Sequence, residues 1–224
     1  MHININSTTG FFAARTGSEG VHIEGIKANE YPFNLRWDDL QGTVHGQTGT
    51  GNADLTYEAY RDTGFNIYFF RHNQDDQLNV IYQMPHTWAP TTNVYPHIHV
   101  LSMASPATTE VVLMEVSYSW VNKNVALPAA VDWFGHTIEF QISASMLYQH
   151  KSMRLTSGGL TPPSGAAAST MLLIKTKRLG TNPGDTFTTS KDHGTAMANL
   201  GVLYADIHFQ KVVAGTLDQA GVVY

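Results

Sequence analysis

The chain has 224 residues, of which only 14% are charged, and its net charge at pH 7 is −5. An acidic chain without a run of Lys or Arg argues against nucleic acid as the main partner, and no stretch of 18 apolar residues occurs, so we expect no membrane span. The sequence contains eleven histidines but no cysteine. The lack of cysteine excludes disulfides and thiolate metal ligands. The N-terminus lacks the basic and apolar regions of a signal peptide, which predicts a soluble protein that is not secreted by the usual route.

The first predicted element is an extended N-terminal arm. Residues 1–30 are punctuated by glycine, and the arm ends before the segment Tyr31-Pro32-Phe33. Because the rest of the chain shows neither an internal repeat nor a second core, we predict a single β-sandwich domain at residues 31–224.

Strand patterns then follow one another along the chain. Phe65–Phe70 and Leu78–Tyr82 are rich in β-branched and aromatic residues, and the turn-forming segment Asn73–Asp76 lies between them, which predicts a hairpin. The next strand contains Tyr95–Leu101. Glu110–Val121 alternates over its whole length, which is typical of a half-buried strand. Its predicted inner face is Val112, Met114, Val116, Tyr118 and Trp120.

Three more strand patterns complete the chain, at His136–Ile142, Met171–Leu179 and Gly201–Val213. In the first, the residues predicted to point inward are Ile138, Phe140 and Ile142. In the last, one face is predicted to carry Leu203, Ala205, Ile207 and Phe209, and the other Tyr204, Asp206, His208 and Gln210. The small-residue segment Thr156–Ser169 interrupts the pattern, either as a flexible loop or as an arm on a neighbouring subunit.

Short strands separated by Gly, Pro and Asn, with no convincing 3.6-residue apolar period, predict the fold class. We expect an all-β protein with little helix, built as an antiparallel β-sandwich. A jelly roll is the favoured arrangement.

His97 and His99 are the candidate metal ligands. Side chains alternate along a strand, so the two imidazoles are predicted to point the same way, and such a pair can bind a metal ion. The pair begins the signature of cupins, but the glutamate of that signature would fall at Met103 or Ala104, and the preceding glycine is missing. His136 or His208 would supply a third ligand only if the fold brought it close. We therefore predict no metal and no cofactor, with both histidines in hydrogen bonds or at a subunit contact.

Other catalytic patterns are missing from the sequence. It has no Gly-x-Ser-x-Gly elbow, no phosphate loop and no dinucleotide fingerprint. The adjacent carboxylates Asp38-Asp39 and Asp75-Asp76 are interpreted as solvated turn positions. The loop with Asp185, Asp192 and His193 binds a cation or nothing. The tryptophans could stack on sugars, but most are expected in the core: Trp37, Trp88, Trp120 and Trp133. No catalytic residue is assigned, and we predict that the protein is not an enzyme.

A series of short segments follows a specific order and spacing along most of the chain. The N-terminal segments are Tyr31-Pro32-Phe33, Trp37-Asp38-Asp39-Leu40, Gln83-Met84-Pro85-His86-x-Trp88 and Pro96-His97-Ile98-His99. The later ones are Met171–Lys175, Arg178-Leu179-Gly180, Asp185-Thr186 and Leu203–Gln210. Together these segments resemble a group of tailed-bacteriophage virion proteins. The resemblance covers residues 31–210 and implies a phage particle component, a trimeric jelly roll for which no catalytic residues are carried over.

The expected function is therefore that of a structural virion protein, which decorates or cements the head shell as a homotrimer. Its partners would be copies of itself and the major capsid protein or other virion proteins, on a particle assembled in the host cytoplasm. Residues 1–30 and the Thr156–Ser169 loop are the predicted contacts. Two alternatives stay open: a tail-fibre or spike module that binds a host receptor or glycan, and a cupin-like metalloprotein.

Overall fold

A computed structural model describes residues 35–46, 54–129 and 132–211. These residues belong to one compact unit, which begins at Leu35. The predicted arm at residues 1–30 and the segment after Lys211 lie outside the described residues. Helical structure within them is limited to short 3-10 turns such as Tyr60–Asp62 and Ala144–Met146. No helix in this described part has the length and apolarity needed to cross a membrane.

The described strands form two antiparallel sheets. Sheet I contains β1 (Arg36–Gln41), β3 (Thr56–Ala59), β4 (Asn66–Phe70), β6 (Tyr95–Ser102), β9 (His150–Arg154) and β11 (Leu200–Lys211). Sheet II contains β2 (Thr43–Gly46), β5 (Gln77–Gln83), β7 (Glu110–Val121), β8 (Phe134–Ile142) and β10 (Met171–Arg178). The predicted all-β class and the antiparallel sandwich are confirmed.

The strand order is that of a jelly roll. Sheet I runs β3-β4-β11-β6-β9, with β1 also paired to β11, and sheet II runs β2-β5-β10-β7-β8. From β4 to β11 the chain therefore changes sheet at every connection except the one between β7 and β8. Eight strands connected in this way make the two Greek keys of a jelly roll. The last strand, β11, consequently lies beside β6 and brings residues about 100 positions apart into register.

The predicted hairpin between Phe65–Phe70 and Leu78–Tyr82 is wrong, because β4 and β5 belong to different sheets. The connection between them turns a corner of the sandwich. Asp76 in this corner is fully buried, and its carboxylate accepts hydrogen bonds from the backbone N–H and the guanidinium of Arg71. Asp76 is thus a buried structural residue, and the prediction of a solvated turn position is wrong. Its carboxylate can be buried because the Arg71 guanidinium balances its charge.

Side chains from both sheets pack into one apolar core. Val112, Met114 and Val116 of β7 are fully buried on the predicted inner face. Ile142 of β8 is also buried, and Ile138 and Phe140 pack against the same core. The alternation that predicted these faces is therefore confirmed.

A β-bulge in β11 changes one predicted face. The register against β6 shifts between Val202 and Tyr204, so that Leu203 is the inserted residue. Ala205 and Ile207 remain in the main core, whereas Leu203 packs against a second cluster. That cluster consists of Ile67, Phe69, Leu101, Met103 and Ala198. Leu203 is therefore displaced from the face on which strict alternation had placed it.

The Thr156–Ser169 loop is attached to its own domain. Leu160 is buried in the main core and exchanges two backbone hydrogen bonds with Val94. Ala166 also packs against the core. Residues 157–158 and 161–165, apart from half-buried Pro162, remain exposed, so an intersubunit role would fall to those parts of the loop.

Candidate functional site

Polar side chains gather on the outer face of sheet I, where β1, β11, β6 and β9 lie side by side. His97 of β6 stands opposite Asp206 of β11 on one side and Arg154 of β9 on the other. His208 of β11 stands opposite Asp39 of β1. The alternation along each strand places all of these side chains on the same outer face. The strand order thus assembles a site from four segments that are distant in the sequence.

His97 and His99 point to the same side, as predicted, and they flank one carboxylate. His99 Nε2 lies 3.2 Å from Oδ2 of Asp206, and His97 Nδ1 lies 3.8 Å from Oδ1. His97 is only 4% exposed and Asp206 only 8%. The Asp206 carboxylate therefore lies between the two imidazoles, and each imidazole faces a different carboxylate oxygen.

Asp206 is held in place by a chain of hydrogen bonds. His99 Nε2 donates to Oδ2 of Asp206, and His99 Nδ1 then accepts from Nε2 of His150. Tyr204 stacks on the His99 ring at 4.0 Å between centroids. From the opposite sheet, the Tyr82 hydroxyl donates to the backbone carbonyl of Asp206 at 3.1 Å. These contacts fix Oδ2 and leave Oδ1 turned towards His97.

Two buried polar atoms in the site have no hydrogen-bond partner, namely Nδ1 of His97 and Oδ1 of Asp206. Their separation of 3.8 Å exceeds hydrogen-bond range. A buried polar atom left in this way costs about 1–3 kcal/mol, and native proteins contain few of them. The two facing atoms therefore require an explanation beyond the packing of the sandwich.

The His97 imidazole is neutral at neutral pH. Burial lowers the pKa of His97, and the neighbouring His208 lowers it further, while the Asp206 carboxylate opposes both effects. A neutral imidazole has a free nitrogen lone pair, which is the form that binds a metal ion or accepts a hydrogen bond.

His208 completes a group of three converging side chains. Its ring lies 4.3 Å from the His97 ring between centroids, and its Nε2 is 3.2 Å from Oδ1 of Asp39. One ligand atom each from His97, Asp206 and His208 lies within 4.8 Å of the other two. Two imidazole nitrogens and one carboxylate oxygen are therefore close enough together to bind one metal ion.

The site opens into a surface cavity of about 350 Å³. Its walls are formed by Trp37, Tyr95, His97, Arg154 and His208. Trp37 is 55% exposed and meets Tyr95 edge to face, at 5.5 Å between centroids. The cavity therefore combines an exposed aromatic wall with one guanidinium and two imidazoles.

The sequence predicts part of this site but not its centre. His208 is a conditional third ligand in the sequence, and the structure brings it to His97. His136 instead donates from Nε2 to the carbonyl of Leu155. Asp206 was placed on the same face as His208 but received no role, because nothing in the sequence indicates that β11 pairs with β6.

The other candidate residues have structural contacts. Asp38 and Asp39 lie on strand β1, not in the predicted turn. Lys211 donates to Asp38 at 2.7 Å, and this hydrogen bond lowers the pKa of Asp38. In the loop before β11, Asp185 binds Arg178 and His193 lies 3.1 Å from Asp62. Met103 and Ala104, where a cupin has its glutamate, are buried apolar residues.

The tryptophans divide into two classes. Trp88 is buried in the core and stacks on Trp120, with 5.8 Å between centroids and 6° between planes. Trp133 is half-buried beneath Lys175, whose Nζ is 3.6 Å from the ring centroid. Trp37 is the exception to the expected burial, and it belongs to the cavity.

No protein-family model matches the sequence, and no curated protein matches it. Among solved structures, the chain is similar to dimeric latent PorU from Porphyromonas gingivalis, with a TM-score of 0.32 and 12% identity, over 79% of this chain and 13% of that chain. It is also similar to a chain of the full particle of Israeli acute paralysis virus heated to 63 degrees, with a TM-score of 0.29 and 10% identity, over 93% and 89% of the two chains. Scores this low carry no conclusion about function.

Proposed function

We propose that this chain is a structural component of a tailed-bacteriophage particle, which attaches to the head shell as a homotrimer and decorates or cements it. The resemblance of its segments between Tyr31 and Gln210 to phage virion proteins motivates the proposal. The structural observation that carries it is an exposed, almost uncharged surface on the connections of the jelly roll. A fold alone does not determine function, so the surface is the feature to test.

This surface, called the loop end here, consists of residues 122–129 and 161–165. The two segments meet at Asn122, whose amide donates to the carbonyl of Ser164. Val125 and Leu127 in the first segment are 62% and 69% exposed, and Lys123 is the single charged residue in the two segments. Apolar side chains displayed in this way are typical of a surface that a partner covers.

The rest of the sandwich also suits burial against copies of itself. With 14% charged residues, large areas can be covered with little desolvation of charge. In the described structure β8 pairs only with β7, and β9 only with β6. Exposed strand edges of this kind are protected when subunits close around a symmetry axis. Many copies on a shell would turn modest contacts into firm attachment.

Sedimentation velocity of the full chain, together with attachment to particles that lack the protein, tests the proposal. We expect a trimer that binds the particles. Leu127→Asp should dissociate the trimer or reduce its occupancy on particles at least tenfold, because a carboxylate would have to be desolvated at the contact. Phe65→Asp is the matched control, since Phe65 is 65% exposed outside the loop end. If the wild-type chain is a monomer and binds no particle, the proposed function is refuted. If the Leu127→Asp chain still forms a trimer and occupies particles as the wild type does, only the role of the loop end is refuted.

The arm has its own test. Deletion of residues 1–30 should leave a folded domain that no longer attaches to particles, since the arm is expected to order on a neighbouring subunit. Circular dichroism and urea denaturation would show that the domain remains folded. Full attachment of the truncated chain would contradict the role of the arm.

One observation favours a second function, that of a module that binds a host glycan. Trp37 is 55% exposed beside Tyr95, in a cavity that also contains Arg154. Exposed aromatic rings with nearby polar groups are suited to stacking on a sugar while hydrogen-bonding its hydroxyls. Glycan-array binding that is lost in Trp37→Ala would support this function. Particle attachment that survives in the same variant would separate it from the structural role.

A further inference from the structure

We propose that His97, Asp206 and His208 form a binding site for one divalent transition-metal ion of the zinc class, on the outer face of sheet I. The inference is independent of the proposed virion function, because it rests only on the geometry of these three side chains. The site also differs from the cupin signature, whose glutamate position is occupied here by Met103 or Ala104.

The ligand set fits the ion. Zinc is bound by imidazole nitrogen and carboxylate oxygen, with three protein ligands where a fourth position stays open. Bonds of about 2.0–2.1 Å place the ligand atoms of a tetrahedral site about 3.3 Å apart. His97 Nδ1 and Asp206 Oδ1 are 3.8 Å apart, and one ligand atom from each of the three residues lies within 4.8 Å of the other two. Binding an ion would bring His97 Nδ1 and Asp206 Oδ1 closer together by about 0.5 Å.

An independent observation points to a ligand at the same place. The two facing atoms, His97 Nδ1 and Asp206 Oδ1, are buried and without a hydrogen-bond partner. A proton shared between them would require a separation below about 3.2 Å, whereas the two atoms are 3.8 Å apart. A cation between them would satisfy both lone pairs at once.

The surrounding contacts are those that orient metal ligands. His99 donates to the second oxygen of Asp206, and Asp39 lies 3.2 Å from His208. Outer contacts of this kind fix the orientation of ligands, and their loss commonly weakens metal binding about 10- to 100-fold. The remaining coordination position would face the cavity, where Arg154 could neutralise an anionic group bound to the ion.

Isothermal titration of the untagged full chain with Zn²⁺, after dialysis against a chelator, tests the site. We expect one ion per chain, with at least tenfold weaker binding in His208→Ala and in Asp206→Asn. The His208 side chain is 45% exposed, so its removal leaves the core intact, and Asp206→Asn keeps the shape of the carboxylate. His45→Ala is the control, because His45 is exposed on β2 of the other sheet and its replacement should leave the affinity unchanged.

A second measurement keeps the test decisive if one variant is unstable. Co²⁺ bound at the site should show visible absorption typical of nitrogen and oxygen coordination, and Zn²⁺ should displace it. Zn²⁺ should also raise the Tm of the wild-type chain and not that of His208→Ala, because a ligand stabilises the state that binds it. Absence of stoichiometric binding, or equal affinity in wild type, His208→Ala and Asp206→Asn, would overturn the proposal.

Discussion

Arg178 binds Asp185 through two parallel hydrogen bonds, of 2.8 Å from Nε and 2.7 Å from Nη2, and both side chains are completely buried. Arg178 is the last residue of β10. Asp185 belongs to the long connection between β10 and β11. Nη1 of Arg178 also donates to Asn199, the residue before β11. The pair therefore ties both ends of this connection together and sets the path by which β11 enters sheet I beside β6.

Breaking this pair should be costly. Arg178→Met leaves the Asp185 carboxylate buried without its cation, which typically destabilises a protein by about 3–5 kcal/mol. The neighbouring Lys177 is the matched control, because its ion pair with Glu115 is at the surface, where such pairs contribute about 0–1 kcal/mol. Urea denaturation of Arg178→Met and Lys177→Met measures the difference. Equal losses in the two variants would contradict a structural role for the buried pair.

The two classes of tryptophan predict different mutational effects. Trp88→Ala removes a ring that is 1% exposed, and we expect a loss of about 3–5 kcal/mol in the free energy of unfolding. Trp37→Ala removes an exposed ring whose main contact is the edge of Tyr95, so the loss should be about 1 kcal/mol. The same denaturation experiment checks both. A large loss in Trp37→Ala would mean that this ring stabilises the sandwich and is not reserved for a ligand.

The sequence predicts strands and faces well because alternation is a local property. The structure begins and ends β7 at the predicted Glu110 and Val121, and His97 and His99 share a face as expected. Pairing is not local: Asp206 meets His99 across 107 residues, and this contact depends on the order of strands in sheet I. The same reason explains the wrong hairpin, since a turn signal such as Asn73–Asp76 does not indicate whether the chain changes sheet.

Gly42 lies close to Tyr82, whose hydroxyl donates to the backbone carbonyl of Asp206 in the candidate site. A Cβ at this position would lie 2.4 Å from Cε1 of Tyr82 and 2.5 Å from Cγ1 of Val80. Gly42→Ala should therefore displace the Tyr82 ring, weaken its hydrogen bond to Asp206, and destabilise the fold by about 1–3 kcal/mol. Gly158→Ala is the control, because no heavy atom of the described structure lies within 4 Å of its added Cβ. A Gly42→Ala variant as stable as this control would show that the crossing between β1 and β2 adapts freely.

His72 predicts a pH dependence of stability. It lies in the corner between β4 and β5 with a buried, unpartnered Nε2. Burial lowers the pKa of His72, and the charge of Arg178 lowers it further. Below the ordinary histidine pKa of about 6.5 the unfolded chain binds a proton that the folded chain does not, so the stability of the folded state falls as the pH falls. The fall from this group ends once the pH passes below the pKa of His72 in the folded protein.

His72→Gln removes this titration while it keeps a polar side chain of similar size. Between about pH 7 and about pH 5, the free energy of unfolding should therefore decrease more in the wild-type chain than in the variant, because only the wild type has a histidine at this position. Urea denaturation at a series of pH values gives both curves. The difference between the two curves gives the contribution of His72 alone, because the wild-type chain and the variant share all the other histidines. Parallel curves would show that the corner between β4 and β5 opens enough to hydrate the imidazole in the folded state.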